Sequence, residues 1–115
     1  MVREAVASSK DPAWYNCYIR FTLYGMRFEF DKEKSRIVKR KHGISLAEAQ
    51  EIFDQAYIVD QKNDDPEQFR AIGWCRGGLC SVIFEVRHDD EGEYYHLITA
   101  WKSTQQEEEQ YAENV

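Results

Sequence analysis

The chain has 115 residues, room for one hydrophobic core but not for two. Hydrophobic residues make up 43% and aromatic residues 14%, enough to offset the entropy of ordering, so a disordered chain is excluded. A formal net charge of −6 excludes a surface that attracts nucleic acid all over. No apolar run nears the roughly 20 residues that cross a bilayer, and no apolar stretch follows the N-terminal charges, which predicts a cytoplasmic protein without membrane contact.

Residues 1–25 read as an N-terminal extension, polar over Met1–Pro12 and rich in aromatic and β-branched residues over Trp14–Tyr24. It is either an added strand running into the first strand of the domain or the product of an early start codon. Residues 26–115 read as the domain itself. Arg27 to Phe30 predicts a strand with Phe28 and Phe30 on one face. Asp31 suits an N-cap, and a short helix runs from there to Lys41 or His42, where Gly43 stops it in the left-handed conformation. Six bases (Lys32, Lys34, Arg36, Lys39, Arg40, Lys41) and one acid, Glu33, make this helix basic, whereas Glu107, Glu108 and Glu109 crowd the other end of the chain.

Ser45-Leu46-Ala47-Glu48 matches a capping box, and Leu46, Ala49, Ile52 and Phe53 give the second helix one apolar stripe that ends near Asp54. Tyr57 to Val59 predicts a strand and Asp60 to Pro66 a polar loop. Gln68 to Trp74, Leu79 to Arg87 and Tyr94 to Trp101 predict three more strands, joined by turns at Cys75-Arg76-Gly77-Gly78 and His88 to Glu93 that favour antiparallel hairpins. In the middle strand Cys80, Val82, Phe84 and Val86 share one face and Ser81, Glu85 and Arg87 the other; one side is core and the other meets water or a partner. Thr104 to Glu113 predicts a peripheral final helix with a second capping box, Thr104 and Glu107. The fold class is therefore α+β: a small antiparallel sheet of four to five strands, two helices from the N-terminal half on one face, and a C-terminal helix.

Three cysteines, Cys17, Cys75 and Cys80, fit a reducing compartment better than a disulfide scaffold. Cys75 and Cys80 flank a turn and read as small core or near-surface thiols rather than zinc ligands, because no second ligand pair stands beside them. With no glycine-rich phosphate loop, metal-ligand cluster or Gly-x-Ser-x-Gly elbow, neither cofactor nor metal is expected.

The order strand, basic helix, Lys41-His42-Gly43-Ile44-Ser45, capped helix ending Ile52-Phe53-Asp54, three strands and a final helix resembles the BrnT family, the toxin half of type II toxin–antitoxin pairs. The resemblance spans Met26 to Tyr111. It is carried by Phe28-Glu29-Phe30-Asp31, by Lys41-His42-Gly43 with Ser45 and Glu48, by Glu67 to Gly73 around Arg70, and by Ile98-Thr99-Ala100 through Lys102, Thr104 and Tyr111. It implies a RelE-like fold, metal-independent RNA cleavage, neutralisation by a cognate BrnA-like antitoxin, and contact with operator DNA only through that antitoxin. The chain departs from the family in having Trp101 in place of an arginine, Val38 in place of an asparagine, and Gln105, Gln106, Glu108 and Glu109 in a helix that is often basic. Phosphates are repelled by glutamate, so these changes weaken a surface for RNA. They raise a second reading, a non-catalytic BrnT-fold protein-binding module that has lost nuclease activity.

Cutting RNA without a metal needs a base for the 2′-hydroxyl, an acid for the departing 5′-oxygen and cations for the phosphorane. His42 is the leading catalytic candidate, because an imidazole titrates near neutral pH; a histidine in the last turn of a helix also interacts well with the free carbonyls there. Arg70, Arg87 and Lys102 are catalytic candidates for holding phosphate, with surface salt bridges as the alternative. Lys39, Arg40, Lys41 and Trp101 are candidate RNA-binding residues. A solvated helix face would equally explain the lysines and arginine, and core or partner contacts the aromatic residues, among them Trp74, Tyr94 and Tyr95. His88 and His96 show no recognisable partner and carry no assignment.

Overall fold

The structure, a computed structural model, describes the strands Val2–Ala5 and Tyr18–Thr22 and residues 26–115. Cys17 and the junction at residues 23–25 lie outside the described residues. The elements are β1 (Val2–Ala5), β2 (Tyr18–Thr22), β3 (Arg27–Glu29), α1 (Lys32–His42), α2 (Leu46–Ala49) continued by a 3₁₀ segment (Gln50–Asp54), β4 (Tyr57–Asp64), β5 (Glu67–Cys75), β6 (Gly78–Asp89), β7 (Gly92–Lys102) and α3 (Gln105–Asn114). The described strands form one sheet in the order β1-β2-β4-β5-β6-β7-β3, with β3 to β7 inside residues 26–115. The class is α+β, as the alternation of patterns predicts. No helix among the described residues is long and apolar enough to cross a membrane.

Local chemistry sets the helix ends. Asp31 accepts a 3.0 Å bond from the Lys34 amide. Gly43, at φ 79°, sends its own amide to the Lys39 carbonyl, a conformation in which a Cβ is strained. Ser45 and Glu48 cap each other's amides at 3.0 Å each. The next two free amides of α2, on Leu46 and Ala47, donate to the buried Ser35 hydroxyl of α1 at 3.0 and 3.4 Å. One serine thus fixes how the two helices meet.

Both helices pack on a single face of the sheet, where Val38, Leu46, Ile52 and Phe53 meet Tyr57, Val82, Phe84, Tyr95 and Leu97. Phe53 is the hub, its ring centroid 5.0 Å from Phe28, 4.8 Å from Tyr57 and 5.4 Å from Tyr95. Gly73 packs against this layer, where an added Cβ would crowd Ile52 and Tyr57 at 3.0 to 3.1 Å.

The sheet differs from the expected one in three ways. It is mixed, because β3 pairs with β7 in parallel, Arg27 opposite Tyr94 and Glu29 opposite His96. A strand of three residues carries no sequence signal for its partner; here Arg27 clamps it, donating two bonds to Asp89 at 2.9 and 2.7 Å and lying 4.5 Å from the Tyr94 ring centre. The expected polar loop Asp60–Pro66 is mostly strand, since β4 runs to Asp64 and β5 begins at Glu67. Likewise His88–Glu93 shrinks to a turn at Asp90 and Glu91, because exposed strand ends keep their backbone pairing whatever their side chains. Finally, the second sheet face is not wholly open: α3 lies over one half of it, where Ile58, Ile72 and Tyr111 cluster with Leu79.

Candidate functional site

Register sorts the candidate residues into two groups. On the outer face, away from α1 and α2, Asp60, Arg70 and Ile83 lie in one row across β4, β5 and β6. The next row runs Gln68, Glu85, His96 and Glu29 across β5, β6, β7 and β3. Arg87 lies beyond it, two residues further along β6, and Trp101 on the opposite side of the Arg70 row, opposite Ser81. The second group is Lys39, Arg40, Lys41 and His42 on α1 with Lys102, whose ammonium lies 3.8 Å from where a Cβ on Gly43 would stand. Lys102 pairs in register with Cys80, and Arg87 is seven residues farther along β6; at about 3.3 Å per residue that is roughly 23 Å. His42 and Lys102 therefore share one end of the molecule, and the structure does not bring them to Arg70 and Arg87.

At the α1 end, a cavity of about 370 Å³ is lined by Lys39, Gly43, Glu48, Arg76 and Lys102 among others. Lys39 is bound to Glu48 at 2.8 Å and Arg76 to Glu51 at 3.0 Å. The Lys39 ammonium and the Ser45 amide hold the Glu48 carboxyl at about 2, far below the usual range. The Cys75 thiol, buried among carbon, is pushed up to about 12 and is no nucleophile.

Arg70 is engaged on every side. Its Nε donates to Asp60 Oδ1 at 3.0 Å, Nη1 to Glu107 Oε2 at 3.1 Å and Nη2 to Gln110 Oε1 at 3.3 Å. Glu107 is the third residue of α3, and its other oxygen accepts from the Thr104 amide at 2.8 Å and from the Trp101 indole at 2.9 Å. Burial alone would raise the Glu107 pKa, but the Thr104 amide, the Trp101 and Ser81 side chains and Arg70 hold it below the ordinary value. Arg70, a catalytic candidate, and Trp101, an RNA-binding candidate, thus both bond Glu107 of the last helix.

The open half of the outer face carries a different arrangement. Glu85 accepts from Gln68 at 2.9 Å and from Arg87 Nε and Nη2 at 3.0 and 2.7 Å. Its side chain is 14% exposed against 44% for Arg87, so the carboxylate is tucked beneath an accessible guanidinium. The Gln68 and Arg87 bonds lower its pKa. His96 stands directly opposite Glu85. Its pKa is lowered by burial and by the positive charge of Arg87, against the opposing pull of Glu85 and Glu29. The ring is therefore neutral at pH 7 and free to take a proton. Sequence reading passed over His96; the one available signal was its place between Tyr95 and Leu97, whose burial turns it outward onto the same side as Glu85.

A neutral imidazole, a fixed carboxylate and a guanidinium on one accessible face suit proton transfer beside a phosphate. Among the described residues no group of three or more His, Cys, Asp or Glu side chains could hold a metal ion. No curated protein matches the chain. The sequence pattern of one family, described as ribonuclease toxin, BrnT, of type II toxin-antitoxin system, matches residues 30–107, more than half of the chain.

Proposed function

The chain belongs to the BrnT family of ribonuclease toxins of type II toxin–antitoxin systems, and from that premise we propose that it cuts RNA without a metal on the open half of its outer sheet face. His96 takes the proton from the 2′-hydroxyl, whose oxygen then attacks the adjacent phosphorus. Arg87 meets the charge that grows on the non-bridging oxygens, Glu85 holds Arg87 in place beside the imidazole, and water on this exposed face protonates the departing 5′-oxygen. The observation that carries the reading is the register that sets His96 beside the Glu85–Arg87 pair.

The basic end then has a separate task. Lys39, Arg40, Lys41, His42 and Lys102 lie too far from Arg87 to touch the same phosphate, and they bind the RNA backbone elsewhere along the strand. A cognate BrnA-like antitoxin silences the enzyme by covering the outer face, and with a net charge of −6 on the toxin it is the antitoxin that contacts operator DNA.

The test is cleavage of a single-stranded RNA by the full chain in excess EDTA. His96→Gln is expected to lower the rate about 10²- to 10⁴-fold, the usual worth of a general base, with an unchanged melting temperature. Full activity of His96→Gln, or loss of wild-type activity in EDTA, defeats the proposal. Supplying the antitoxin in equal amount stops cleavage.

One observation favours the second reading, a binding module without nuclease activity: Arg70 and Trp101 are both taken up by Glu107 of α3. Wild-type chain that binds antitoxin and leaves RNA intact would establish it.

A further inference from the structure

Beside α3 lies a cavity of about 500 Å³ whose walls include Lys62, Arg70, Trp101, Gln106, Glu107 and Gln110. Two cations and an indole come from the sheet, and the carboxylate of Glu107 comes from the last helix. That carboxylate gives one oxygen to Arg70 and the other to the Trp101 indole and the Thr104 amide. A phosphodiester presents the same pair of anionic oxygens. Asp60 grips the Nε edge of Arg70 and so aims Nη1 at this spot whether or not Glu107 is there. Apart from this polar network, the helix that delivers Glu107 has one buried apolar side chain, Tyr111, which packs on Ile58 and Ile72 and donates one bond to the Ala56 carbonyl at 3.1 Å.

We propose that this cavity is a second phosphate site for single-stranded RNA, occupied by Glu107 as a stand-in until RNA displaces it and swings α3 aside. The proposal rests on the cleavage reading above, because Arg70 lies in the row next to Glu85 and His96, about 7 Å along the strands. One RNA strand crossing the face would meet both. Trp101, relieved of Glu107, then offers its ring to a base.

The experiment compares labelled single-stranded RNA binding to full-length wild type, Glu107→Gln and Arg70→Gln/Glu107→Gln, by fluorescence anisotropy over a range of salt. Glutamine keeps the caps on Thr104 and Trp101 but drops the charge. Glu107→Gln is expected to bind about three- to tenfold more tightly, with a salt dependence steeper by about 0.7 in the log–log slope, one extra phosphate contact. The double variant returns to wild-type affinity. Equal or weaker binding by Glu107→Gln, or tight binding that survives in the double variant, overturns the proposal. A second measurement needs no variant: saturating RNA must speed hydrogen exchange of the α3 amides in the wild-type chain, and slowed or unchanged exchange also overturns it. Arg70-dependent binding without any cleavage would leave this proposal standing and remove the catalytic one. Cleavage without Arg70-dependent binding would do the reverse.

Discussion

Replacing Arg70 by methionine isolates the network that fastens the last helix. Methionine keeps the length and the apolar stem, so the loss is the guanidinium alone. Asp60 and Glu107, whose side chains are 17% and 7% exposed, then both lose the guanidinium they share. Breaking a buried ion pair from one side costs about 3–5 kcal/mol, a large part of the roughly 5–15 kcal/mol that holds a small domain together. The pH dependence gives a sharper signature than the magnitude. In the wild type the Glu107 pKa lies below its ordinary value, so its contribution is full above the ordinary carboxylate range and fades as pH falls through the folded pKa. In Arg70→Met the Glu107 carboxylate loses the cation that helps to hold its pKa down while its burial remains, so its pKa rises. A raised pKa gives stability that is lost as pH rises through it, so this variant should become more stable between pH 7 and pH 5 while the wild type does not. Urea unfolding followed by tryptophan fluorescence reads this directly, because Trp74 and Trp101 both touch α3. A loss below about 1 kcal/mol, or a pH slope of wild-type sign, would show that the network is solvated and the argument wrong.

Three further predictions concern the scaffold. In Gly73→Ala the new Cβ would meet Ile52 Cγ2 at 3.0 Å, the Ile52 carbonyl at 3.1 Å and Tyr57 Cβ at 3.1 Å; overpacking of this kind costs about 1–3 kcal/mol and should appear as a lowered melting temperature. Ser45→Ala removes one arm of the capping box and should cost about 1 kcal/mol, readable in urea unfolding at pH 7. Glu48 has a folded pKa of about 2, so its contribution is present above the unfolded value near 4.3 and is lost as pH falls from there toward 2; Glu48→Gln should flatten that limb of the acid unfolding curve and leave the rest of the curve in place.

What the sequence discloses is what neighbours along the chain decide. Asp31, Gly43, Ser45 and Thr104 each act on amides or carbonyls within one turn, and all four caps stand where the residue types place them. The hairpins of β5, β6 and β7 are legible for the same reason, since short turns admit little else. Pairing between distant segments is not legible: nothing in Arg27–Glu29 names β7 as its neighbour, and the partner follows from where α1 and α2 deposit the strand. The site shows the same divide. Arg87 is recognisable as a cation on the outward side of β6, but the worth of His96 lies in facing Glu85 across β6 and β7, a relation of register. Arg70 and Trp101 were visible as a cation and an aromatic ring, whereas their attachment to Glu107 depends on α3 folding back over the sheet.

The parallel pairing of β3 with β7 also bears on synthesis. Residues 27–29 reach their ladder partners at 94–96 only after β4, β5 and β6 have been made, and loop closure over such a span cannot precede the arrival of its second end. A nascent chain lacking β7 has neither His96 nor a place to seat Glu29. The RNA-cutting surface proposed above is therefore assembled only once β7 has been made, and a waiting antitoxin meets a complete face rather than a growing one.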